Sequence, residues 1–165
     1  MPITDPKVKL RNLLVANWNP ANTKNITPKI HTGWYNAAWN TTPQVTVTTP
    51  ITNSLRASAT GVAAIGPGGT KVRLMKTDLL IAPWAHHEMV DPATGSSFKT
   101  LSVNPKDLTY DMSNEIRRIV EENIFSDPEL DHISWLGMEE VVDVRIKPAI
   151  FRYDNDVRLV YREAF

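Results

Sequence analysis

The chain contains no cysteine, and that absence removes a disulfide framework, a thiolate metal site and a cysteine nucleophile together. It also lacks any apolar run near the roughly 18 residues of a membrane span. The opening "MPITDPKVKLRNLLVANW" has no apolar core behind a basic head, so neither membrane insertion nor a secretory leader is expected. An excess of charge of one sign is missing too. Eighteen Lys+Arg balance 18 Asp+Glu, which excludes a global positive field of the kind that draws proteins to nucleic acid or anionic lipid. What is present is 165 residues, 42% hydrophobic and 22% charged, enough for one domain with a real core. Glycine is scarce, and four of the seven fall in residues 52–70, "TNSLRASATGVAAIGPGGT". That composition predicts a long mobile loop.

Asp5-Pro6 offers a cap and a first-position proline, and Leu10, Leu14 and Trp18 recur at spacing four, so a helix is predicted over about 6–18. "ITPKIHTGWY" and "PQVTVTTP" read as short strands, β-branched and bounded by proline, with at least one at a sheet edge. "KVRLMKTDLLIAPWAHHEMV" reads as a long extended segment. "DPATGSS" is a turn with Asp first, Pro second and Gly near its end, and "SFKTLSV" is the returning strand. Together these predict a long protruding hairpin with His86 to Asp91 near its tip. After Asn104-Pro105 comes the clearest helix, with Leu108, Met112, Ile116, Ile119, Val120 and Ile124 on one face and Glu115, Arg118 and Glu122 pointing away. The tail places Val142, Val144 and Ile146 on one strand face and predicts a tight turn at Asp154-Asn155-Asp156 between two further extended pieces. The succession is that of a single α+β domain, 1–165, with a mainly antiparallel sheet.

The chemically suggestive stretch is "IAPWAHHEMVDPATG". On a strand His86 and His87 point to opposite faces, so the doublet cannot hold one ion, whereas His86 and Glu88 share a face. Zinc needs a third protein ligand, and nothing in the spacing of His31 or His132 supplies it. No metal or cofactor is therefore expected, and a small metal-dependent enzyme using His86 and Glu88 stands as the alternative of a different class. "GPGGTK" does not meet the phosphate-loop pattern and leads into a strand, not a helix. No Gly-x-Ser-x-Gly elbow occurs, and Glu139-Glu140 reads as solvated charge. The last strands mix Arg152, Arg158 and Arg162 with Tyr153 and Tyr161. The acids Asp154, Asp156 and Glu163 dilute the positive field, which favours protein contact over DNA contact.

The order and texture of "KVKLRNLLVANW", "PQVTVTTP", "KVRLMKTDLLIAPW", "NEIRRIVEENI" and "AIFRYDNDVRLVYRE" resemble the tail-terminator and tail-completion proteins of long-tailed bacterial and archaeal viruses. The resemblance spans nearly the whole chain and departs from the family in the length of 50–70. It implies a non-enzymatic virion protein, made in the host cytoplasm, that closes into a homo-oligomeric ring, commonly a hexamer. Such a ring caps the tail tube, contacts the tail tube protein and a head-completion or connector protein, and lets genome DNA pass through its lumen. A head-closure or adaptor subunit of the neck is the sibling reading. From exposure and composition, and not from the family, the interface candidates are His86, His87, Glu88, Arg152, Tyr153, Arg158, Tyr161 and Arg162.

Overall fold

A computed structural model describes residues 5–49, 58–59, 64–65, 71–143 and 148–164. The first helix, α1, runs Pro6–Asn17, its Asp5 cap accepting from the Lys7 amide at 2.9 Å and its buried side Pro6, Leu10 and Leu14. Asn19 and Pro20 then open a 3-10 turn, Pro20–Thr23. Left-handed Lys24 and Asn25 (φ 53° and 61°) reverse the chain there. Strand β1 is Lys29–Thr32 and β2 is Gln44–Thr48. Both lie where the β-branched texture predicts, but they pair parallel.

The spine of the sheet is β5, Lys71–Ala85. It is flanked by β2 along 80–84 and by β7, Ile150–Ala164, along most of its length. β7 in turn pairs with β6, Leu130–Asp143. The in-line order is β1-β2-β5-β7-β6, and every pair but the first is antiparallel. Most of the predicted 52–70 loop lies outside the described residues. Two pieces within it, β3 (Ser58–Ala59) and β4 (Ala64–Ile65), pair with the first half of β5.

The second helix, α2, is Pro105–Glu122, capped by Asn104 accepting from the Lys106 amide. Leu108, Met112, Ile116, Ile119 and Val120 are fully buried against Leu79, Ile81, Val157 and Leu159 of the sheet. Burying such side chains contributes on the order of 1.5–3 kcal/mol each. Both helices cover one face of the sheet, so the class is α+β, mostly antiparallel.

Three local expectations are corrected. The long hairpin is not built from 71–103. Past Ala85, Val90 donates to the Thr41 carbonyl, Phe98 donates to that of Met89, and a single bridge joins Val90 to Ser97. Met89 and Phe98 are buried in the core, which draws this segment inward as a compact loop instead of an arm. Its Asp-Pro-Ala-Thr-Gly turn does form, with Asp91 accepting from Ala93 and Thr94 and Gly95 at φ 71°. The long hairpin of the molecule is β6–β7. Asp154-Asn155-Asp156 is no turn but the middle of β7, because Asn155 is satisfied inside the core. Glu115 does not point away: it is 1% exposed. The expected face residues Val144 and Ile146 lie outside the described residues.

Candidate functional site

Strand alternation sorts the interface candidates onto two faces. Arg152, Arg158 and Arg162 share the face away from the helices, while Tyr153 and Tyr161 turn toward them. Tyr161 is 7% exposed, part of the core, with its hydroxyl 3.4 Å from that of Thr77. Tyr153 packs on Tyr110 of α2 with ring centroids 5.8 Å apart, and burial followed by the Glu140 carboxylate pushes its phenol up. The Arg/Tyr mixture of the sequence is thus divided by the sheet. Arg152 and Arg162 also stand about 33 Å apart along one strand, so the candidates form no single cluster.

The end of β7 near Arg152 adjoins the 86–88 corner, where His87 meets the Phe151 ring edge-on at 5.8 Å. His86 is buried. Its Nε2 lies 2.6 Å from the Asn40 carbonyl and its Nδ1 accepts from the Glu88 amide at 3.2 Å. A carbonyl only accepts and an amide N–H only donates, so both ring nitrogens are committed to backbone. His86 thus presents no free ring nitrogen, and residues 86–88 lie past the end of β5, not on the strand where His86 and Glu88 were expected to share a face; Glu88 itself is exposed. Among the described residues no three His, Asp or Glu side chains converge to hold an ion.

Arg152 is a clamp. Its guanidinium lies 4.7 Å from the Trp84 ring and 5.3 Å from the Trp34 ring, with Nε 2.7 Å from Asp154 Oδ1. Trp84 donates Nε1–H to Thr46, and Trp34 and Tyr35 pack against its indole. Buried Gln44 donates to the Asn36 and Trp39 carbonyls and accepts from the Asn36 amide, which holds the 36–39 turn in place. Sequence reasoning missed this cluster. Its signal was tryptophan at 34, at the end of a predicted strand, and at 39 in the connection after it, where a large ring must find a surface to cover.

Farther along β7, Arg158 grips Asp78 with two bonds, 2.7 and 3.0 Å. The Arg158 hydrogen bonds hold the Asp78 carboxyl below its ordinary value, against the effect of burial. Arg162 reaches Asp131 at 3.2 Å and is largely exposed. Asp156 stands between these pairs with no ion pair among the described residues. Burial, then Asp154, Asp78 and Glu139, push its pKa up.

Both ends of the sheet are open. At one, the amides of Lys29 and Gly33 turn to β2, so by alternation the backbone of Ile30 and Thr32 faces outward. At the other, Ile133 donates to the Ile124 carbonyl. Beyond it, along 136–143, no described residue hydrogen-bonds to the outer side of β6. Leu136 and Val142 are 48% and 40% exposed there.

The hollow between α1 and residues 126–129 is shallow, and its Lys9 is already bound to Asp127 and Glu129 at 2.8 and 2.6 Å. The chain matches no family model and no curated protein.

Proposed function

We propose that the chain is a ring-forming structural subunit of the tail-terminator type, closing at the head-proximal end of a viral tail tube. The ring would stop tube growth and join the tail to the connector. The observation that carries this reading is the open sheet, whose end strands, β1 and β6, are each left without a strand neighbour on the outer side among the described residues. A subunit with two different free edges is suited to a head-to-tail contact repeated until it closes. Several of the interface candidates are engaged within the subunit: His86 with backbone, Arg152 with two indoles and Asp154, Arg158 with Asp78. A head-closure or adaptor subunit of the same neck would share this architecture and differ in which face meets the tube.

The test is the mass and shape of the purified protein by light scattering and electron microscopy, alone and with tail tubes. A closed ring of about six copies, or binding confined to tube ends, is expected. A monomer that ignores tube ends overturns the proposal.

A further inference from the structure

We infer that the contact between subunits is made edge to edge, the outer half of β6 in one copy lying along the β1 edge of the next. This deepens the ring reading and rests on it only for closure.

The two edges complement each other in backbone, charge and apolar surface. From Leu136 to Asp143 the outer side of β6 offers backbone groups with no partner among the described residues, which an adjoining strand would satisfy. Its exposed side chains are apolar or acidic. Leu136 and Val142 are the apolar ones, and Glu139 has no ion pair among the described residues. Glu140 is held only by an exposed pair with Lys106 at 3.3 Å, and Asp156 adds a further carboxylate on the Glu139 side of the sheet.

The β1 edge carries the opposite set. Ile30 and Thr32 turn their backbone outward; the Ile30 carbonyl accepts from Arg11 Nε of α1 at 3.4 Å and the Thr32 carbonyl lies 3.4 Å from His31 Nδ1, long side-chain contacts that an incoming strand would displace. Arg11 has no carboxylate partner among the described residues, and neither has Lys29, whose Nζ rests 4.7 Å over the Trp39 ring. Val15 follows Arg11 by one helical turn, on the same side of α1, and is 52% exposed. A basic edge with one exposed valine thus faces an acidic edge with an exposed leucine and valine. Because the two edges differ, the contact is heterologous and cannot satisfy itself in a two-fold dimer.

The lack of any cysteine makes this testable by crosslinking on a clean background. Lys29→Cys and Glu139→Cys in one chain, oxidised at the concentration used for light scattering, are expected to give a ladder of covalent oligomers beyond the dimer. Either single variant stops at the dimer. Arg11→Cys with Leu136→Cys is the second pair if the first does not fold. In parallel, Glu139→Lys/Glu140→Lys and Arg11→Glu/Lys29→Glu are each expected to assemble more slowly and only at higher concentration, and to regain wild-type assembly when mixed.

A ring that forms without a ladder, or whose rate and concentration dependence are unchanged by both charge reversals, overturns the edge contact and leaves the ring reading standing. A ladder of open chains that never closes supports the edge contact and overturns the ring. Neither assembly nor ladder overturns both.

Discussion

At the residue scale the decisive groups are carboxylates whose surroundings differ. Glu115, buried on α2, accepts from the Asn19 amide at 2.8 Å and Asn22 Nδ2 at 2.7 Å and pairs with Arg118. It ties the 3-10 turn after α1 to the middle of α2. Burial alone would raise its pKa, but the bonds from Arg118, Asn22 and Asn19 prevail and hold it below the ordinary carboxylate value. A depressed carboxylate contributes stability that is full above the unfolded pKa and is lost as pH falls through the folded one. Glu115→Ala is expected to cost about 2 kcal/mol at neutral pH by orphaning those donors. The deficit relative to wild type should shrink in acid, read by denaturant titration from pH 7 to pH 3. A constant deficit would show that the bonds, and not the charge, were what mattered. Asp156 has the opposite sign. Its raised pKa means that the folded state resists the charge, so a penalty grows as pH rises through the ordinary carboxylate range and persists above it. Asp156→Asn is expected to stabilise the fold at pH 7 by no more than about 0.5 kcal/mol for so exposed a site, read as a higher midpoint of thermal unfolding, and to change nothing well below pH 4.

At the element scale the helices were legible because caps and period lie within a few residues of each other. Asp5-Pro6 and Asn104-Pro105 start α1 and α2 as their side chains predict, and the stripe from Leu108 to Val120 is the buried one. The strands were legible as segments, but their partners were not. Nothing within "ITPKIHT" or "PQVTVTT" says that these two pair parallel, and the true Asp91–Gly95 turn led to a false partner for β5. The misread turn at 154–156 shows why. Asn155 Nδ2 donates to the Ile81 carbonyl at 3.2 Å and Ser113 Oγ at 3.0 Å, while its Oδ1 accepts from Trp135 Nε1 at 3.2 Å. Two of those partners lie 74 and 42 positions away, so a local reading sees only turn-forming residues. The same geometry makes a prediction about β7. Asn155→Asp keeps the shape but sets a carboxylate beside the Ile81 carbonyl, so burial and a missing donor should raise its pKa. The variant is expected to be destabilised by about 2 kcal/mol or more at pH 7 and to recover as pH falls through its raised pKa toward the ordinary carboxylate range. Equal loss at pH 4 and pH 7 would rule out charge burial as the cause. Of the interface candidates, Arg158 and Arg162 were readable as one face from alternation, whereas the turn misread at 154–156 cut Arg152 off from them. Tyr161 was not readable as core, because a strand buried on one side looks the same from either.

At the scale of the whole molecule, balanced charge and open edges belong together. Net charge is zero, so copies of the chain do not repel one another at long range, and association is governed by how the charges are distributed. Arg11 and Lys29 lie at one end of the sheet, and Glu139, Glu140 and Asp156 lie near the other. In the proposed edge contact an exposed cross-subunit ion pair would contribute only about 0.2–1 kcal/mol, so charge would steer and orient that contact while strand pairing and the apolar residues held it. Ionic strength separates these contributions. The Debye length falls from about 10 Å at 0.1 M salt to about 3 Å at 1 M. Assembly followed by light scattering should therefore form more slowly at 1 M salt and at a modestly higher concentration, without being abolished. Thermal unfolding of the assembled form should shift upward with protein concentration, since association stabilises only the folded chain. Complete dissociation at 1 M salt would mean that charge pairs alone join the subunits and that the strand edges stay apart. Assembly unaffected by salt in both rate and midpoint would mean that the opposed charges of the two edges never meet.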